Sequence, residues 1–384
     1  MSFIESDERQ ALRAAVAALG RKYGASYYSE KARSGGKTDE LWAEAGALGY
    51  LGVSVPEEYG GGGGGIGDLA AVSEELAAAG CPLLLMVVSP AICATIIARS
   101  GTEDQKKQWL PRFADGTLKM AFAITEPDAG SNSHRITTTA RRDGDGWVLT
   151  GQKTFISGVD ESEAVLFVGR MEDQKGTLKP ALFVVPTDTP GFSWTPIEME
   201  IVSPEKQFVC HLDDVRLPYD ALVGDEDAGL LQLFAGLNPE RIMATAMAGG
   251  IGRYALGRAV EYANSRQVFR TPIGAHQGLA HPLAAAKIEL ELARLMGQKA
   301  AFLYDRGDDF GAGEAANMAK YAAGEAANHC VDQAIQTFGG NGLTVEYGIG
   351  GMLTATRLLR IAPVSREMIL NFVAQHSMGL PKSY

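Results

Sequence analysis

The chain has 384 residues, 46% of them hydrophobic, enough for two or three domains with sizeable cores. Lys and Arg number 35 against 46 Asp and Glu, a formal charge of −11 that argues against a nucleic-acid partner, because neutralising phosphates needs a basic face. The four cysteines, Cys81, Cys93, Cys210 and Cys330, form no CxxC pair, and no apolar stretch reaches the ~20 residues of a membrane span; disulfide framework, zinc site and membrane insertion are all disfavoured, and a reducing, cytoplasmic setting is expected.

The N-terminal segment carries three acidic residues ahead of apolar positions at helical spacing. It reads as a surface helix capped by Ser6, not as a signal or transit peptide. Helical spacing continues from Asp39 to Tyr50, from Ile66 to Gly80 and on to Phe113. Between the first two of these lies LGVSVPEEYGGGGGG. Its glycines satisfy GxGxxG after a strand-like LGVSV, but helices flank the stretch and Pro56-Glu57-Glu58 break the strand-to-turn step. A dinucleotide fingerprint requires a βαβ unit, so the run is read as a flexible loop. From Lys119 to about Gly224 the pattern changes to short alternating or apolar runs separated by turn signals, with Asp143-Gly144-Asp145-Gly146 marking a hairpin. That spacing predicts an antiparallel sandwich or barrel. Four long helical segments follow, at 228–265, 278–305, 312–338 and 350–376, the pattern of a helix bundle. Gly249, Gly250 and Gly252 inside the first of them are expected to permit close helix packing. The fold class is therefore α+β and multidomain: an N-terminal α-helical domain (1–120), a middle antiparallel β domain (121–226) and a C-terminal four-helix bundle (227–384).

Four stretches carry chemistry. In GLNPER, Asn238 suits an N-cap, Pro239 a first helical position and Glu240 a first-turn acid, so on spacing alone the motif is a helix start. FAITEPDAGSN (Phe122–Asn132) offers Thr125, Ser131 and turn amides able to bond a heterocycle or phosphate. TFISG places Phe155 to pack on an aromatic ring and Ser157 to bond its edge. QTFGGNGLTVEYG, from Gln336, ends a helix in glycines that let backbone approach a ligand. Each alone is an ordinary turn or strand end.

Together and in this order these stretches resemble the acyl-CoA dehydrogenase family. ITEPDAGSN is similar to its first signature and QTFGGNGL, with the following acid, to its second; SRQVFRTPIGAHQ, PEEYGGGG, LTGQKTFISG and DDVRLP also fit, over nearly the whole chain. The resemblance implies FAD between the β domain and the bundle, across a subunit interface of a homotetramer (a dimer of dimers). Thr125, Ser131, Phe155 and Ser157 would surround the flavin ring, Phe155 standing where many members have Trp. Arg266, Phe269 and Gln277 would reach the diphosphate and adenosine half of a neighbour's FAD, with Gln336 and Gly340 on that same side. Ser365 and Glu367 stand where members often carry Thr and either Gln or Glu. The implied reaction is α,β-dehydrogenation of an acyl-CoA: a carboxylate takes the α-proton, the β-hydride moves to flavin N5, and electrons pass to an electron-transfer flavoprotein. No metal is implied; His276 and His281 read as a loop residue and a helix cap.

The chain departs from the commonest pattern in two places. Pro363, in IAPVSRE, occupies the late position where many members hold the base, and proline cannot act as one. Members such as isovaleryl-CoA and long-chain enzymes carry the base in a Glu-Arg pair on the first bundle helix. GLNPER matches that variant, which makes Glu240 the expected base and Asn238, Arg241 and Ser131 expected contacts of the CoA ester. It also places Pro239 inside a long helix beginning near Ala228, where it would bend the helix toward the flavin. In addition, Thr354-Ala355 replaces a usual Arg-Asp pair. Competing readings are an acyl-CoA oxidase using O₂, a non-catalytic relative and a DNA-associated relative. Oxidases and DNA-associated relatives usually carry more C-terminal mass; Glu240 argues against lost catalysis, and the negative charge against DNA.

Overall fold

The computed structural model describes residues 5–172, 177–224, 226 and 229–382. Helix α1 (Asp7–Ser34) starts where Ser6 Oγ accepts the Arg9 amide at 3.3 Å, and it ends at Gly35 in the left-handed conformation. Helices α2 (Asp39–Ala47) and α3 (Ile66–Ala78), a π-helical segment Val87–Ala94 around Pro90, α4 (Thr95–Ser100) and α5 (Glu103–Ala114) complete the N-terminal helical region. Residues 51–55 form turns rather than a strand. The glycine run is not a free loop either: the amides of Gly62, Gly63 and Gly64 donate to the Gly52, Val55 and Val53 carbonyls, each at 2.9 Å. A Cβ on Gly61 would lie 2.1 Å from the Val55 oxygen, so the run is a tightly held connector that only glycine can form. At the α3 N-terminus, where a dinucleotide fold would seat a phosphate, Asp305 accepts the Ile66 and Gly67 amides at 2.7 and 3.1 Å.

The middle region comprises β1 (Met120–Ala123), β2 (Thr139–Asp143), β3 (Gly146–Ser157), β4 (Ala164–Glu172), β5 (Leu178–Pro186), β6 (Phe192–Ile197) and β7 (Gln207–Pro218). They form one sheet in the order β1-β4-β2-β3-β7-β6, with β5 paired to β4. The β2–β3 hairpin turns at Gly144-Asp145, with Asp143 opposite Gly146. Contrary to the antiparallel expectation, β4 runs parallel to both β1 and β2, which pair with its two ends: Met120–Ala123 lies beside Ala164–Phe167, and Thr139 and Ala140 lie beside Arg170 and Met171. Alternation explains the apolar runs AVLFVGR and ALFVV. Met120, Phe122, Leu166, Val168, Leu182 and Val184 face the core shared with the helices, while Ala121, Val165, Phe167 and Phe183 face a second core within the β region. Strands buried on both faces lose their polar alternation.

Helices α6 (Gly229–Ser265), α7 (Gln277–Asp305) and α8 (Asp309–Phe338) form the bundle, with the small hairpin β8 (Gln267–Val268) and β9 (Thr271–Pro272) after α6. The expected fourth long helix is divided into α9 (Met352–Leu358) and α10 (Arg366–Phe372), separated by the segment that contains Pro363. Gly250 and Gly252 act as spacing predicts: a Cβ on Gly250 would lie 2.4 Å from the α3 carbonyl of Glu74, and one on Gly252 would lie 2.8 Å from Leu290 of α7. No helix among the described residues is long and apolar enough to cross a membrane.

Candidate active site

GLNPER lies inside α6, not at a helix start. Pro239 lacks the N–H that would bond Ala235, and the hydroxyl of buried Tyr304 donates to the freed Ala235 carbonyl at 2.9 Å. Asn238 does not cap; its Nδ2 donates to the Asp309 carbonyl at 3.0 Å, tying α6 to the start of α8, and Arg241 Nη1 donates to Asn238 Oδ1 at 3.3 Å and to the Leu237 carbonyl at 3.1 Å. Gly236 allows the underlying helix to approach, since a Cβ there would lie 2.7 Å from Ile96 Cδ1. No hydrogen-bond partner for the Glu240 carboxyl is found among the described residues. Burial pushes its pKa up to about 7, and the positive charges of Arg241 and Lys320 offset only part of that rise.

The β region supplies a second constellation at the end of β1. Lys153 is fully buried and donates to Glu126 Oε1 at 2.9 Å and to the Ile124 carbonyl at 3.0 Å. Glu126 also accepts the Thr138 amide at 2.9 Å and the Thr137 amide and hydroxyl. Burial opposes its ionisation, but hydrogen bonds from Thr138, Lys153 and Thr137 prevail and hold the carboxyl down at about 2. This pair, which motif reading did not single out, staples the segment bearing Thr125 and Ser131 onto β3. The Thr154 amide completes the staple by donating to the Thr125 carbonyl at 2.9 Å. Between Lys153 and Ile156 the β3–β7 register slips, and Phe155 takes φ 57° and stands 57% exposed. The bulge turns that ring out of the core. Ser157, two residues on, exchanges hydrogen bonds with the Gln207 amide at 3.0 and 3.1 Å.

The remaining residues form two further groups. About 38 Å of helix separates Glu240 from the α6 terminus. At that far end Arg266 is exposed, and β8–β9 turns through Phe269 and Arg270, both at positive φ, leaving Phe269 90% exposed. Gln277 opens α7, and Gln336 and Gly340 are exposed at the end of α8, which Asn341 joins to Tyr262 of α6 at 3.0 Å. One protomer does not bring this group to Glu240. The segment after α9 does return to the Glu240 level: Lys320 of α8 donates to the Val364 carbonyl, beside Pro363 and Ser365. Ser365 caps α10 by accepting the Met368 amide at 3.3 Å, and Glu367 is exposed next to Arg366. Thr354 donates to the Glu200 carbonyl at 3.2 Å, so this position still links α9 to the β region without the Arg-Asp pair. A cavity of about 510 Å³ is lined by Met247 and Ile251, which share the Glu240 face of α6, by Leu358 of α9, and by Gln207, the partner of Ser157.

Family models match the chain in three consecutive blocks: acyl-CoA dehydrogenase N-terminal domain over residues 6–117, middle domain over 121–209 and C-terminal domain over 227–378. The chain belongs to the acyl-CoA dehydrogenase family. It is 71% identical to acyl-CoA dehydrogenase FadE12 of Mycobacterium tuberculosis, covering 100% of this chain and 99% of that protein. Among solved structures, butyryl-CoA dehydrogenase from Megasphaera elsdenii superposes with a TM-score of 0.91 at 29% identity, covering 96% of this chain and 98% of that one. A glutaryl-CoA dehydrogenase from Mycobacterium smegmatis in complex with FADH2 superposes at 0.90 with 27% identity, covering 99% and 96%. Like the family, this acyl-CoA dehydrogenase is an FAD-dependent oxidoreductase acting on an acyl-CoA. Its surface fits that cofactor: Phe155 and Phe269 present rings that no core covers, and Ser157 and Gln207 present polar atoms beside the outward-turned Phe155.

Proposed function

We propose that this acyl-CoA dehydrogenase uses Glu240 as the base that removes the substrate α-proton. The carrying observation is a carboxyl within α6, free of hydrogen-bond partners among the described residues and raised to about 7, while Pro363 fills the alternative position. A base is most effective when its pKa lies near the working pH, and desolvation strengthens a carboxylate that no donor stabilises. Bound FAD supplies the acceptor for the β-hydride. Arg241 and Asn238 hold one another beside the base, and the family resemblance assigns them, with Ser131 on the exposed turn after Glu126, to the CoA ester. Thr125, Phe155, Ser157, Ser365 and Glu367 belong to the flavin half of the site. Arg266, Phe269, Gln277, Gln336 and Gly340, exposed and a bundle length away from Glu240, serve the FAD of a neighbouring subunit. That division supports a homotetramer, as do the solvent-facing Ile288, Leu292, Leu295 and Phe302 along α7.

The three-part division at 1–120, 121–226 and 227–384 is supported by the family-model boundaries. An electron-transfer flavoprotein as acceptor rests on the family resemblance, and a cytoplasmic location on four buried free thiols. The test is anaerobic addition of straight, branched and aromatic saturated acyl-CoA esters to the yellow holoenzyme. At least one ester bleaches the flavin band, and the pattern names the acyl class; no bleaching by any ester overturns the reading.

A further inference from the structure

Lys320 is 2% exposed in α8, on a buried face made mostly of small residues (Ala312, Ala316, Ala319, Ala323, Gly324 and Ala327) and shared with Asn317. A lysine there sacrifices hydration, and its one hydrogen bond among the described residues runs to the Val364 carbonyl. Gly324, one turn on, lets the same segment lie against α8, since a Cβ there would meet the Leu359 oxygen at 2.7 Å. The charges facing Lys320 are Glu240 and Arg241 from α6, Glu325 from α8 itself and Glu367 from α10. Glu325 is already engaged by Arg360 and Arg366 at 2.9 and 3.1 Å, and Glu367 by Arg366 at 3.4 Å. That leaves Glu240 as the carboxylate facing Lys320 that no other side chain holds. Helix α8 packs alongside α6 in this stretch: a Cβ on Gly313 would lie 3.3 Å from Asn238 Oδ1, and one on Gly252 would lie 3.5 Å from Cys330 Sγ. Lys320 lies between those two contacts, and the charges acting through space on Glu240 are those of Arg241, its neighbour in sequence, and Lys320.

We infer that Lys320 is a positioning residue for the reaction: its buried ammonium fixes the Val364 segment with one hydrogen bond and keeps Glu240 ionised with its charge. The inference rests on Glu240 being the base. Burial draws Lys320 down to about 8, so near neutral pH it is still mainly cationic when Glu240 must be anionic. Without the cation, Glu240 would hold its proton to higher pH.

The test is the pH profile of flavin bleaching by an acyl-CoA, normalised to flavin content. In wild type the rate rises with pH through about 7 as Glu240 ionises. Lys320→Gln keeps a donor for Val364 but removes the charge; its acidic limb moves up by about one pH unit, and its rate at pH 7 falls about five-fold, from half ionised to roughly a tenth. Lys320→Arg restores the wild-type limb. A limb that stays in place in folded Lys320→Gln, or moves by a unit in the charged Lys320→Arg, overturns the inference; the second arm decides if the neutral variant fails to fold. Normal turnover by Glu240→Gln would instead refute the base reading, whatever Lys320 does.

Discussion

At the residue scale, Glu240 illustrates a site arranged for reactivity at a cost in stability. Its carboxyl titrates near 7 in the fold and near 4.5 when unfolded. Below the lower value both states are protonated and nothing is lost; as pH rises from there toward 7 the unfolded state is increasingly favoured, and above 7 the full penalty applies. Glu240→Gln should therefore raise the thermal midpoint at pH 8 by the equivalent of on the order of 2 kcal/mol, and leave it unchanged at pH 4. Glu126 has the opposite sign. Held at about 2, it contributes stability above the ordinary carboxylate range that is lost as pH falls toward 2. Glu126→Gln strands the buried Lys153 ammonium and is expected to cost about 3–5 kcal/mol by denaturant unfolding, with looser FAD binding as the Thr125–Ser131 segment comes free. Lys153 and Lys320 were legible in principle. Lys153 shares its strand face with buried Trp147 and Leu149, and Lys320 interrupts an alanine-rich stripe, but motif reading attends to residue types known for chemistry rather than to charges at core parity.

At the element scale, α6 shows where local rules end. Asn-Pro-Glu is a sound helix start by propensity, yet the helix runs through it because Tyr304, 65 residues away in sequence, satisfies the carbonyl that Pro239 frees. Replacing Tyr304 with Phe leaves that half-buried carbonyl unpaired; a loss of about 1–2 kcal/mol in unfolding is expected. The order of helices and strands, the hairpin at Gly144-Asp145 and the close packing at Gly250 and Gly252 follow from periodicity and turn chemistry. The parallel β1–β4 pairing does not, since a strand buried on both faces carries no alternation to orient it. The ordered glycine run was likewise hidden, because its partners are backbone carbonyls of Gly52, Val53 and Val55 rather than side chains.

At the scale of the whole molecule, the Arg266–Gly340 group lies about 38 Å along α6 from Glu240 and, in the proposed arrangement, serves the FAD of a neighbouring subunit. Arg266→Ala should weaken FAD retention while leaving the unfolding of the monomer core unchanged, and the holoenzyme should run in light scattering at four chains; a stable, FAD-saturated monomer would contradict that arrangement. Catalysis in this arrangement depends on Glu240. The most direct measurement is anaerobic stopped-flow bleaching of Glu240→Gln holoenzyme with the best acyl-CoA found for wild type. The variant is expected to be a yellow protein that binds the ester but loses about 10²–10⁴-fold of the bleaching rate. Bleaching at the wild-type rate would contradict this and place the base elsewhere.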